Sequence, residues 1–329
     1  MPQERFIPKN PVFDFLTKRK SDSPILWSQY ICEALYNREF GYYRKDKKRT
    51  GGDGADFYTS ESLRQNIFGR LLKYSIEKYF SDFGKSLEDF KLCHIGSEPG
   101  METIPTEISM RLDDPKIIPP RAAIFSNELL DARPFDRFVF KGGRWNIEGI
   151  FIVKTRGGYI VKTELFNPPE EYSEILDKYF RKAMIEDFRV DISLDAISLF
   201  RQICSQNWKG IIIFFDYFRS AAQLCNFPSG TARTYFRHTS SNDILETPSG
   251  RDITYSPCSD IFLDILREFG FKKAIYESQE SFFIERASEP IKEIIAASPL
   301  LDPRKRELVQ LLNPSLMGID FGAISACRF

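Results

Sequence analysis

Gly210-Ile211-Ile212-Ile213-Phe214-Phe215-Asp216 is the stretch on which the fold turns. Five large apolar side chains follow one another and end at a carboxylate. A run that is apolar at both parities must be covered on both faces, which marks a central strand of a parallel sheet. Other short apolar runs read as strands around it: Lys91–Ile95, Ala122–Ser126, Lys272–Ser278 and Ser281–Arg286. Helical patterns at Met101–Leu112, 169–181, Ser193–Gln206 and Asp260–Phe269 separate most of them. Alternation of this kind predicts an α/β domain with a twisted, mostly parallel sheet. The last two runs, split by Gln279-Glu280, predict an antiparallel hairpin.

Outside this core the character changes. Runs at Phe138–Lys141, Ile150–Thr155 and Tyr159–Leu165, divided by Gly142-Gly143 and Gly157-Gly158, predict a small antiparallel β insert at about 138–166. The first 85 residues predict a helical region. Ser23-Pro24 opens one helix, with Ile25, Trp27, Ile31, Leu35 and Tyr36 at helical spacing, and a second runs from about Glu61 to Phe80. Between them, Gly41 to Gly54 carries Arg44, Lys45, Lys47, Lys48 and Arg49 with several glycines, and predicts a mobile, solvated loop at 41–54. The expected organisation is a helical region over 1–85 and an α/β domain over 86–329.

Composition excludes several function classes. The chain has 329 residues, 42% hydrophobic and 14% aromatic, with 30 Phe, as a packed interior requires. Lys plus Arg equal Asp plus Glu at 46 each, so the basic excess of a nucleic-acid binder is missing. No apolar run approaches the ~20 residues of a membrane-spanning helix. Met1 to Asn10 is polar and unlike a secretory signal, so a cytoplasmic location is expected. Six scattered cysteines and two distant histidines, His94 and His238, suggest neither a disulfide framework nor a metal site.

In an open α/β sheet, ligands sit beyond the carboxyl ends of the strands. Three loops therefore matter. His94-Ile95-Gly96-Ser97-Glu98-Pro99-Gly100 has glycines that let backbone approach a nucleotide-like ligand. Ser126-Asn127-Glu128-Leu129-Leu130-Asp131 places Asn127, Glu128 and Asp131 just past a buried strand, where they would hold an amine or guanidinium or cap a turn. The third follows Asp216.

Several ordered motifs resemble the MidA-like family, class I S-adenosylmethionine (SAM) methyltransferases that include the mitochondrial complex I assembly methyltransferase. Gly41-Tyr42-Tyr43, Ala55-Asp56-Phe57-Tyr58-Thr59-Ser60 and Arg64-Gln65-Asn66-Ile67-Phe68-Gly69 come first. Asn127-Glu128-Leu129-Leu130-Asp131-Ala132-Arg133-Pro134 is similar to the family's N-E-x-x-D-A-x-P. Asp216-Tyr217, Gly230-Thr231 through Tyr235 to His238, Pro248 to Thr254, Gln279-Glu280-Ser281-Phe282 and Pro314 to Gly318 continue the match along nearly the whole chain. The resemblance implies a class I methyltransferase, Rossmann-like sheet and methyl transfer from SAM to a protein nitrogen, with arginine the acceptor class. It implies Asn127, Glu128, Asp131 and Asp56 on the catalytic side. Gly96, Gly100 and Asp216 are implied at the cofactor, and Arg233, Tyr235 and His238 toward the substrate. The expected partner is a protein, as substrate or binding partner, with no nucleic acid or membrane and no metal.

Departures from the family pattern cluster at the cofactor loop. His94 stands for the family's first acid and Glu98 for its middle glycine, where a carboxylate would crowd and repel the cofactor's own. Ala55 and Glu61 replace glycine and proline, Phe218 replaces a glycine, and Ser256-Pro257 replaces His-Val. Only 26 residues separate Gly100 from Asn127, room for one helix and one strand. A sheet shortened on one side is expected, without the strand whose terminal acid binds the cofactor ribose. The alternative function is therefore a catalytically inactive descendant acting as a protein-binding or assembly scaffold.

Overall fold

The computed structural model describes residues 4–19, 24–45, 59–97, 103–111, 113–236, 239–297, 299 and 302–329. Most of the expected loop at 41–54, Asp56, Glu98, Gly100 and His238 lie outside the described residues.

From the N-terminus come β1 (Glu4–Pro8), α1 (Pro11–Arg19), β2 (Ile25–Leu26), α2 (Trp27–Tyr36) and α3 (Ile67–Asp82). Next are β3 (Lys91–Ile95), β4 (Ile108–Met110), β5 (Arg121–Asn127), β6 (Asp136–Lys141), β7 (Arg144–Lys154) and β8 (Gly158–Phe166). Then follow α4 (Glu170–Tyr179), β9 (Arg189–Ile192), α5 (Leu194–Ser205), β10 (Lys209–Asp216) and α6 (Ala221–Leu224). The chain continues with β11 (Arg233–Phe236), β12 (Thr239–Ser241), β13 (Asp252–Thr254), α7 (Ser259–Glu268), β14 (Lys272–Ser278) and α8 (Gln279–Arg286). It ends with α9 (Ser288–Ala297), α10 (Pro303–Leu312), α11 (Met317–Asp320) and β15 (Gly322–Arg328).

These elements form two compact units, each made of three chain segments. The first comprises Met1–Lys47, Asp131–Ile197 and Arg219–Cys258; the second comprises Lys48–Leu130, Ser198–Phe218 and Ser259–Phe329. The division therefore does not fall at residue 85, and the chain passes repeatedly from one unit to the other.

In the second unit the strand order is β14-β15-β10-β5-β3-β4. β4, β3, β5 and β10 run parallel, while β15 is antiparallel to both β10 and β14. The period-2 alternation of β10 sorts its apolar run onto two faces. Ile211, Ile213 and Phe215 share a buried cluster with Phe68, Leu71 and Leu72 of α3, Phe282 and Phe283 of α8, and Leu308 and Leu311 of α10. On the other face Phe214 meets Phe200 edge-on, and Phe200 meets Phe262 of α7.

Three sequence expectations change in this unit. Ser281–Arg286 is helical, because Ser278 caps α8 by accepting the N–H of Ser281. The antiparallel partner of Lys272–Ser278 is instead the C-terminal strand β15. Within Met101–Leu112 the described residues hold no helix but the three-residue strand β4, paired parallel with β3. A short strand thus lies outside β3, where only β5 was expected after it, and no strand lies beyond β4 among the described residues.

The first unit carries an antiparallel sheet in the order β1-β8-β7-β6-β9, with β2 joined to β7. The expected β insert is its centre, and β1 makes the N-terminal region more than helical. Trp27 anchors α2 there by donating its indole N–H to Glu148 Oε1 at 2.9 Å. A separate small sheet has the order β12-β11-β13. Among the described residues no helix is long and apolar enough to cross a membrane.

Candidate active site at the carboxyl ends of the parallel strands

From β3 the chain of the second unit moves outward to β4, then returns to β5 on the opposite side of β3. The strand order therefore reverses between β3 and β5, the place where open α/β sheets take ligands. Gly96 follows β3, Asn127 and Glu128 close β5, and Asp216 closes the adjacent β10. Four of the sequence-predicted site residues are thus brought together on neighbouring strand ends.

Backbone geometry at this edge is tightly specified. Gly96 has φ +87°, and its N–H donates to the Met110 carbonyl at 2.8 Å. A Cβ there would lie 3.0 Å from Leu129 Cδ1, so glycine is needed both for its torsion and for its bareness. Glu128 is left-handed as well, with φ +50°, an uncommon torsion for a residue with a side chain. Its N–H donates to the Phe215 carbonyl at 2.9 Å, which ties the turn after β5 to β10. Asp216 is fully buried and its carboxylate is committed to backbone. Oδ2 accepts the N–H of Leu130 and Oδ1 that of Tyr217, both at 2.8 Å. Asp216 thereby shapes the turn that places Leu129 over Gly96.

Glu128 carries the site's most unusual electrostatics. Its Oε1 accepts Asn127 Nδ2 at 3.0 Å and the N–H of Ser60 at 3.4 Å. Burial pushes its carboxyl well above the usual range, and the like charges of Asp216 and Glu61 push the same way. Asn127 is 5% exposed, and its Oδ1 has no hydrogen-bond partner. Such an orphaned acceptor costs on the order of 1–3 kcal/mol unless a donor reaches it.

Residues 91–275, more than half of the chain, match the model of the family described as "Putative S-adenosyl-L-methionine-dependent methyltransferase". The chain belongs to this methyltransferase family. Its fold is similar to that of a Burkholderia thailandensis protein solved bound to S-adenosyl-homocysteine. The TM-score is 0.79 at 19% identity, over 98% of this chain and 95% of that one. A second, uncharacterized protein structure from Burkholderia thailandensis aligns with TM-score 0.74 and 16% identity over the same shares. No curated protein matches the chain. The fold is that of the class I SAM-dependent methyltransferases, which the strand order and the antiparallel β15 already indicated.

Two further residues at this edge of the sheet, His94 and Glu61, lie outside the predicted site set, although both depart from the family pattern. His94 of β3 stacks on Phe125, with ring centroids 4.3 Å apart, and burial lowers its pKa to about 4. Its Nε2, which has no hydrogen-bond partner, lies 3.4 Å from Glu61 Oε1. The Thr103 hydroxyl donates to that same oxygen, so Glu61 touches the chain on either side of the candidate cofactor turn. Two substitutions of opposite chemical type were the available signal. Nearby, the Ser60 hydroxyl donates to Gln279 Oε1 at 3.2 Å while Gln279 Nε2 donates to the Leu311 carbonyl at 3.0 Å.

The residues present suit the charged end of SAM better than its ribose. Gly96 leaves backbone bare at the turn, as the methionine end of the cofactor requires. At the end of β4, where a ribose-binding acid is expected, Met110 is followed by Arg111. The nearby Asp114 carboxylate is engaged, accepting the Arg111 N–H at 2.7 Å.

Of the other predicted residues, Asp131, Arg233 and Tyr235 lie in the first unit. Asp131 is buried, and its carbonyl accepts the N–H of Tyr255 at 3.2 Å. Its charge acts on Tyr36 and Tyr43, whose rings stack at 5.3 Å. Tyr43 donates to Asp252 Oδ1 at 2.9 Å, and Tyr36 to the Ala132 carbonyl at 2.7 Å. Burial raises both phenols far above their ordinary pKa, so they remain neutral donors. On β11, Arg233 Nε donates to Tyr235 Oη at 2.8 Å, and its guanidinium lies over that ring.

Proposed function

We propose that this chain is a SAM-dependent methyltransferase of the MidA-like type, acting on a nitrogen of a protein substrate, with arginine as the acceptor class. The observation that carries the reading is the pairing of Asn127 with Glu128 at the end of β5. One acceptor there has no partner and one carboxyl has no described cation beside it. Two adjacent acceptors of this kind orient a nitrogen donor and withdraw its proton. The turn at Gly96 would hold the methionine end of the cofactor, and Asp216 sets the turn against it. When bound, SAM supplies an electrophilic methyl group. Gly100 and Asp56 belong to the cofactor and catalytic sets by family resemblance. Asp131 belongs to the catalytic set, and Arg233, Tyr235 and His238 to the acceptor side, on the same ground. The cellular location in this reading is the cytoplasm.

A second reading has one observation in its favour. The end of β4 offers Arg111, with the Asp114 carboxylate committed to the backbone, where a ribose anchor belongs. On that reading the cofactor site is degenerate and the protein is a scaffold for a protein partner. Calorimetric titration with SAM and with S-adenosylhomocysteine separates the two. Micromolar binding followed by transfer of labelled methyl to a protein acceptor supports the enzyme. Absence of heat at millimolar ligand sinks it and leaves the scaffold.

A further inference from the structure

One face of the antiparallel sheet in the first unit carries a cavity of about 1090 Å³, and every residue that lines it belongs to that unit. Side chains alternate along a strand, so Arg137, Val139 and Lys141 of β6 share this face. The register of β9 on β6 sets Asp191 opposite Arg137 and Arg189 opposite Val139, which brings both onto it. Glu148 of β7, with Val161 and Leu165 of β8, continues the floor, and Trp27 and residues 241–245 complete the lining.

The cations of this cavity are matched by carboxylates, with one exception among the described residues. Arg137 Nε donates to Asp191 Oδ1 at 2.9 Å, Lys141 Nζ donates to Asp187 Oδ1 at 2.9 Å, and Arg5 is paired with Asp243. Glu148 accepts the Trp27 indole, and Glu164 is exposed, where water and salt screen its charge. Arg189 is the exception. Its Nε is buried without a hydrogen-bond partner, and its guanidinium makes no ion pair with the described residues. Asp187 senses the Arg189 charge, but its carboxylate is held by Lys141. The backbone of Arg189 is anchored on both sides, by the pairing with β6 and by its N–H donating to the Pro228 carbonyl at 2.9 Å. The side chain is thereby committed to the cavity.

We propose that this cavity binds a small organic anion, whose carboxylate or phosphate takes the Arg189 guanidinium while its apolar body lies along Val139, Val161 and Leu165. A guanidinium fork meets the paired oxygens of either anion through two N–H groups. The volume is that of a large small-molecule site, where roughly 300–1,000 Å³ is usual, and a lone inorganic ion would leave most of it unfilled. The site shares no residue with the candidate cofactor turn, so it stands whether or not the chain transfers methyl groups.

The test is calorimetry of the purified full chain with benzoate and with phenyl phosphate, and with benzyl alcohol as the neutral counterpart. At least one anion should bind and the alcohol should not, and the tighter of the two tells carboxylate from phosphate. Arg189→Gln should weaken that binding about tenfold or more, and Arg189→Lys, which keeps the charge, should fall between. Without ligand, Arg189→Gln should melt no lower than the native chain, because the lost guanidinium had no partner. Arg137→Gln should melt lower, since it leaves the buried Asp191 without its cation. Anion binding that is unchanged in Arg189→Gln overturns the proposal, as does failure of both anions to bind at millimolar concentration. An acidic peptide that binds where neither small anion does overturns it in favour of a protein-docking cleft. A loss of folding in Arg189→Gln overturns it too, by making the arginine structural. The native comparison of the anions with benzyl alcohol needs no variant.

Discussion

The carboxylate of Asp216, at the end of β10, accepts the backbone N–H of Leu130 at 2.8 Å. A side chain on one central strand thus sets the turn that follows its neighbour, and that turn lays Leu129 on Gly96. Replacing Asp216 by Asn leaves one acceptor for two N–H groups and sets an NH2 against one of them. The expected loss is about 1–3 kcal/mol of stability, read as a lower urea midpoint at unchanged slope. An unchanged midpoint would show that Asp216 is not the residue holding this turn.

Gly96→Ala asks for a side chain at φ +87° and 3.0 Å from Leu129 Cδ1. A left-handed torsion costs a non-glycine residue roughly 1–2 kcal/mol, and the contact adds to it. Pairing the change with Leu129→Ala should remove the steric part of the Gly96→Ala effect and leave the torsional part. Full additivity of the two changes would refute the contact.

His94 makes stability depend on pH in a stated direction. Burial holds its folded pKa near 4, against about 6.5 in an unfolded chain. Above pH 6.5 the imidazole is neutral in both states and the native packing on Phe125 is fully retained. As pH falls from about 6.5 toward 4, the unfolded chain takes up the proton first, and stability declines by roughly 3 kcal/mol. His94→Phe keeps the aromatic stack and should flatten that part of the curve. If the variant and the native protein lose stability in parallel, His94 is not the titrating group.

In the first unit, Tyr43→Phe deletes the hydroxyl that donates to Asp252 Oδ1. Both side chains are buried or nearly so, and a hydrogen bond to a carboxylate is worth about 1.5–3 kcal/mol. Thermal melting of Tyr43→Phe, Asp252→Asn and the double variant forms a cycle in which the two changes should be less than additive.

Much of the second unit was legible in sequence because its central strands are continuous apolar runs with chemistry at their ends. Ile211 to Asp216, Lys91 to Ile95 and Ala122 to Ser126 lie in strands, and their terminal residues meet at one edge. β4 escaped because Ile108-Ser109-Met110 is too short for a period-2 signal, while Ile104 and Ile108 share a helical spacing. Phe282-Phe283-Ile284 reads as a strand because a short apolar run does not distinguish a strand from a buried helix. The deciding clue was Ser278, an N-cap three residues before Ser281. β15 went unseen: Gly322, Ala323, Ser325 and Ala326 are small, and their burial comes from neighbouring strands rather than from side-chain bulk. At the site, Asn127, Glu128 and Asp216 announced themselves by position. The contact between Glu61 and His94 did not, since 33 positions part them and only the folded sheet brings them to 3.4 Å.

The brevity of β4 has a consequence for how these molecules behave beside one another. A sheet that stops at an outer strand presents a row of unpaired amides, the usual template for aggregation and strand exchange between copies. Three residues span only about 10 Å, too short a seam to recruit a second chain. Glu107 guards its near end, its carboxylate accepting the Leu92 N–H at 2.8 Å. Among the described residues, the β4 margin of the shortened sheet therefore offers little seam for intermolecular pairing.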